Sequence, residues 1–99
     1  MFNISIGNYM PITDDNIKKA IEISRQFGVS KLVLFGSAVD DISSANDLDF
    51  AVDGITGWKI IELAAKLENE LKIKVDVVAI KPDNKFISHV LNYAKVLYA

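Results

Sequence analysis

Cysteine is absent from the 99-residue chain, which excludes disulfides and any Cys-ligated zinc. That absence suits the cytoplasm, the expected location. Neither sign of charge dominates: a net charge of −2 and an isoelectric point near 5.2 leave no electrostatic footprint for nucleic acid or an anionic membrane. No uninterrupted apolar run approaches the ~20 residues that span a bilayer. The opening "MFNISIGNYM" has neither a cationic start nor a long apolar stretch, so it is not expected to act as a signal peptide. Repeats, low-complexity tracts and linkers are also missing. Residues 1–99 therefore read as one domain, long enough for one core and too short for two.

The composition that is present is globular, with 51% hydrophobic and 24% charged residues. Helical spacing of Ile17, Ala20, Ile21 and Phe27 predicts a helix from Asp14 to Phe27, capped by Thr13 and closed by Gly28. The run "KLVLF", 31–35, predicts a buried strand ended by Gly36. Residues 36–46 read as a small polar loop with a helical turn after Ser37. "DLDFAVD", 47–53, predicts a second strand. A second helix follows over 57–72, with Ile60, Ile61, Ala64, Leu67 and Leu71 expected on one face. "IKVDVVAI", 73–80, predicts a third strand broken by Pro82, followed by a helix over 83–93 and an edge strand in "KVLYA". The short connection between the first two strands favours antiparallel pairing. The expected fold class is thus α/β (α+β), a small mixed sheet flanked by helices.

Three acids stand out against these apolar strands. Asp47 and Asp49 are two residues apart, so both leave the same face with Cα atoms ~6.7 Å apart. Asp76, between Val75 and Val77, joins them if its strand is a neighbour. Two unpaired carboxylates ~5 Å apart repel by ~3 kcal/mol at an effective dielectric near 20. A divalent cation removes that repulsion, and oxygen donors suit Mg²⁺ or Mn²⁺. On spacing alone, solvent-facing aspartates are the commoner explanation of the pattern, ahead of a metal site. The joint arrangement says more. A Gly36–Ser37 turn opening a helical turn offers backbone N–H groups to phosphate, opposite acids that hold metal. Those are the two halves of a nucleoside triphosphate site.

Bland readings fit the other conspicuous residues. His89, the only histidine, reads as a helix-surface residue, and Trp58 as a packing anchor at a helix start. Asp53 reads as a turn residue with Gly54, and Lys81 and Lys85 as solvated. Tyr93 and Tyr98 suit core or interface equally.

The series "LFGS", nine residues, "DLDFAV" and then "VDVVAI" resembles the minimal nucleotidyltransferases of the DNA polymerase beta superfamily, along nearly the whole chain. That resemblance implies the nucleotidyltransferase fold and a two-metal transfer of a nucleoside monophosphate from ATP, or another nucleoside triphosphate, to an acceptor hydroxyl. It implies that Gly36 and Ser37 bind the nucleotide, that Asp47 and Asp49 bind both metals, and that Asp76 binds the catalytic metal and helps activate the acceptor. The catalytic and metal-binding set is then Asp47, Asp49 and Asp76, with Mg²⁺ (or Mn²⁺) as cofactor. Members of this family are often antitoxins encoded beside a helical HEPN-domain protein, so the implied partner and acceptor is such a protein. No membrane is implied, and nucleic acid only as an acceptor. The sequence departs from the pattern after Gly-Ser, where a basic residue is usual and Ala38, Val39, Asp40 and Asp41 stand instead. That departure supports a rival expectation, a non-catalytic antitoxin of the same fold that neutralises its partner by contact.

Overall fold

The computed structural model describes residues 12–42, 45–81 and 83–99. The readings of the first ten residues and of Pro82 lie outside the described residues. Helix α1 spans Asp14–Gln26, and its start is fixed by a reciprocal cap. The Thr13 hydroxyl accepts from the Asn16 N–H at 3.3 Å, and the Asn16 side-chain oxygen accepts from the Thr13 N–H at 2.9 Å. Asp14 and Asp15 add negative charge where the helix end is positive.

Strand β1 spans Lys31–Phe35 and runs into a single 3-10 turn, Gly36–Val39. β2 spans Asp47–Asp53 and α2 Trp58–Leu71. β3 spans Lys74–Ala79, α3 Lys85–Leu91 and β4 Lys95–Tyr98. The strands form one sheet in the order β3-β2-β1-β4. β1 pairs antiparallel with β2 and β4, whereas β2 and β3 run parallel, with α2 as the crossover that a parallel pair needs. The mixed sheet expected from the sequence is therefore present. α3 is shorter than the expected 83–93. The Asn84 side chain accepts from the Ile87 N–H at 3.3 Å and marks its start, and backbone turns at Asn92 and Tyr93 end it.

Register divides the sheet into two faces. Leu32 and Leu34 of β1 oppose Val52 and Phe50 of β2, while Leu48 and Phe50 adjoin Val75 and Val77 of β3. Apart from Val77, which is partly buried against it, these residues belong to one core cluster with Ala20 and Ile23 of α1 and Leu63, Leu67 and Leu71 of α2. The opposite face carries Val33, Phe35, Asp49, Ala51 and Asp76. There Val33 and Ala51 are fully buried outside the main cluster, and α3, with buried Ile87, packs against β1.

Two readings of α2 need correction. Its buried stripe runs through Leu63, Leu67 and Leu71, and Ile61, expected on the core face, is 58% exposed. At 100° per residue Ile61 lies about 160° around the helix from Leu63. Trp58, expected to anchor packing, is 78% exposed for the same reason, lying about 140° from Leu63. No helix of the described residues is long and apolar enough to cross a membrane.

Helix α2 ends on Lys72, which adopts the left-handed conformation at φ 58° with its N–H bonded to the Glu68 carbonyl. Glycine takes that conformation without a Cβ penalty. Lys72→Gly is expected to raise stability by about 0.5–1 kcal/mol in urea melts, relief of the strain outweighing the added freedom of the unfolded chain.

Candidate functional site

The pleat of β2 projects Asp47 and Asp49 from one face, and the parallel register sets Asp76 of β3 beside Asp49. One carboxylate oxygen from each of the three lies within 4.8 Å of the others. Asp47 and Asp49 are half-buried and Asp76 is exposed, so the group sits on the rim of the sheet and is open to ligands.

Burial and the crowding of the acids have an electrostatic consequence. The Asp49 carboxyl is held above its ordinary value of 3.8. Burial is the main cause, followed by the charges of Asp47 and Asp76 and a carboxyl–carboxyl hydrogen bond with Asp76, while Lys74 opposes them. Lys74 was not singled out in the sequence, although its spacing of two from Asp76 was the available signal.

Gly36 closes the site from β1. Phe35 is the register partner of Asp49, so the chain turns directly beside that carboxylate. A Cβ on Gly36 would collide with Asp49 Oδ2 and come within 3.3 Å of its Cγ, and Gly36 has φ +80°. Only glycine lets the backbone pass this close to the acid. Gly36 and Ser37 open the 3-10 turn, whose first N–H groups have no partner within the turn. The five residues singled out by the sequence motif thus lie on neighbouring segments. Three of them, the acids, converge within reach of a single ion. Hard oxygen donors fit Mg²⁺ or Mn²⁺ and not a soft metal.

The remaining candidates take structural or surface roles. Asp53 accepts from the Gly54 N–H at 2.9 Å, the turn role expected of it. His89 is exposed on α3 with its ring edge-on to Tyr93. Tyr98 is tied down, donating its hydroxyl to the Val29 carbonyl at 2.8 Å beneath the Arg25 guanidinium.

Several solved structures share this fold. A chain of a complex between a tri-AMPylated Shewanella oneidensis HEPN toxin and an MNT antitoxin is 26% identical. The match covers 85% of this chain and 70% of that one, with a TM-score of 0.68. A toxin–antitoxin structure with AMP-PNP is also 26% identical, over 83% and 72% of the two chains, with a TM-score of 0.71. A MntA–HepT toxin–antitoxin structure, 24% identical over 88% and 73% with a TM-score of 0.70, shows the same fold. No curated protein sequence matches the chain. Residues 16–99 match the model of the family described as polymerase beta, nucleotidyltransferase, and the chain belongs to that family.

Proposed function

We propose that this protein is an active nucleotidyltransferase that moves a nucleoside monophosphate from ATP, or another nucleoside triphosphate, to a hydroxyl of a helical HEPN-type partner protein in the cytoplasm. The observation that carries the reading is the convergence of Asp47, Asp49 and Asp76 within 4.8 Å, directly beside Gly36. The similarity to a chain from a complex with a tri-AMPylated HEPN toxin supports the choice of acceptor. The similarity to a structure with AMP-PNP supports the choice of donor.

Asp47 and Asp49 would hold two Mg²⁺ or Mn²⁺ ions, and Asp76 would share the catalytic one. Bound there, the metal supplies charge neutralisation at the phosphates and acidifies the attacking hydroxyl. Gly36 and Ser37 present backbone N–H groups to the triphosphate. The acceptor oxygen forms a bond to the α-phosphorus while the bond from that phosphorus to the pyrophosphate oxygen breaks. Asp76, the most exposed of the three acids, receives the hydroxyl proton.

One observation favours a second reading, contact neutralisation without transfer. Asp40 follows the Gly-Ser turn and lines the same cleft as Gly36, where its charge opposes phosphate. Incubation of the full chain with ATP, Mg²⁺ and a HEPN-type partner protein separates the two. The expected result is pyrophosphate release together with a mass gain of whole AMP units on the partner. Neutralisation of the partner with no mass gain would establish the second reading instead.

A further inference from the structure

At the end of β1, next to the acids, a cleft of about 480 Å³ opens between the 3-10 turn and α3. That volume falls within the ~300–1,000 Å³ typical of small-molecule sites. Phe35, Gly36, Val39 and Asp40 form one wall, and His89 and Tyr93 contribute to the other. Phe35 is the register partner of Asp49, so the cleft and the acids share one face of the sheet. Gly36 belongs to both, touching Asp49 on one side and lining the cleft on the other.

The chemistry of the two halves differs. Among the described residues no lysine or arginine lines the cleft, and Asp40 adds a negative charge, so it does not suit phosphate. Its aromatic and aliphatic walls suit a flat ring. Tyr93 is 71% exposed, a large apolar area for a side chain that lines a cavity. Its backbone is set by a turn bond from its N–H to the Val90 carbonyl at 3.0 Å, and its ring is met edge-on by the His89 ring at 5.5 Å and 63°. An aromatic ring positioned in this way and left open at a cavity wall is a platform for stacking a base.

We infer that this cleft seats the nucleoside end of the triphosphate, with the base stacked on Tyr93 and the phosphates leading past Gly36 to the three acids. The inference rests on the nucleotidyltransferase reading above and adds the place and the residue that hold the base.

Calorimetry on the full chain with Mn²⁺ tests it with two probes, a non-hydrolysable ATP analogue and inorganic tripolyphosphate, which lacks a nucleoside. Tyr93→Ala removes the platform at an exposed position, and Tyr93→Phe keeps it. The expected result is that Tyr93→Ala weakens the ATP analogue about tenfold and leaves tripolyphosphate unchanged, while Tyr93→Phe binds both as the wild type does. Equal affinity of the wild type for the two probes would overturn the inference and leave the triphosphate site standing. An unchanged analogue affinity in Tyr93→Ala would do the same. Failure of both probes to bind the wild type would overturn the nucleotidyltransferase reading, and this inference with it.

Discussion

Asp49→Asn is expected to reduce nucleotide transfer by at least 10²–10³-fold and, at the same time, to make the metal-free protein more stable at neutral pH. The loss follows from the proposed role, since metal neutralisation of phosphoryl charge is worth several kcal/mol in the transition state. The gain follows from the geometry. Carboxylate oxygens within 4.8 Å of one another repel by about 3 kcal/mol per pair at an effective dielectric near 20. Solvent at this half-exposed rim reduces the net effect to about 1 kcal/mol.

The pH dependence has a definite sign. Asp49 is raised in the folded state, so between the ordinary value of 3.8 and the raised folded value the folded protein binds more protons than the unfolded chain. Stability lost to Asp49 is zero below the ordinary value, grows as pH rises through the raised folded value, and is complete above it. The asparagine variant lacks this loss. Urea melts of the two proteins without metal are expected to coincide near pH 3 and to diverge toward pH 7, with the variant the more stable. Added Mn²⁺ is expected to close the gap by stabilising the wild type alone. A variant less stable than the wild type at pH 7 would mean that Asp49 is a structural group and that the metal reading is wrong.

Gly36→Ala is expected to inactivate the site without touching any of the acids. The new methyl group collides with Asp49 Oδ2 and forces a left-handed φ of +80° on alanine. The conformational strain costs about 1–2 kcal/mol, and the displaced carboxylate no longer meets Asp47 and Asp76. Metal-dependent nucleotide binding should fall at least tenfold. Gly54→Ala is the control. It has φ +100°, and its methyl group would lie 2.7 Å from the Ser30 backbone nitrogen. It should destabilise the fold at least as much as Gly36→Ala. It follows Asp53, at the end of β2 away from the acids, so the folded fraction should still bind metal and nucleotide normally. Equal loss of binding in both variants would mean that Gly36 serves the fold alone.

Much of the architecture was local and therefore legible. The Thr13 cap, the glycine after β1 and the alternation of β2 are matters of near neighbours, and all three elements lie where their patterns indicate. Asp47 and Asp49 share a face for the same local reason, the two-residue period of a strand. The phase of α2 was not legible in this way. Apolar residues at 60, 61, 63, 64, 67 and 71 fit two overlapping stripes, and contact with β3 and α1 selected the one through Leu63, leaving Ile61 and Trp58 outside.

By itself the sequence determined which residue types the site would hold and that two of its acids would point the same way, because those depend on bonds and spacing along one strand. Only the tertiary structure decided that Asp76 completes the group. Its position depends on β3 lying parallel to β2 with Asp76 opposite Asp49, and a slip of one residue would have sent it to the buried face. The fold also decided that Gly36 abuts Asp49 and that Tyr93 stands beside the same turn. Such contacts join residues distant in the chain, and it is burial of the core on the other face of the sheet that holds the strands in that register.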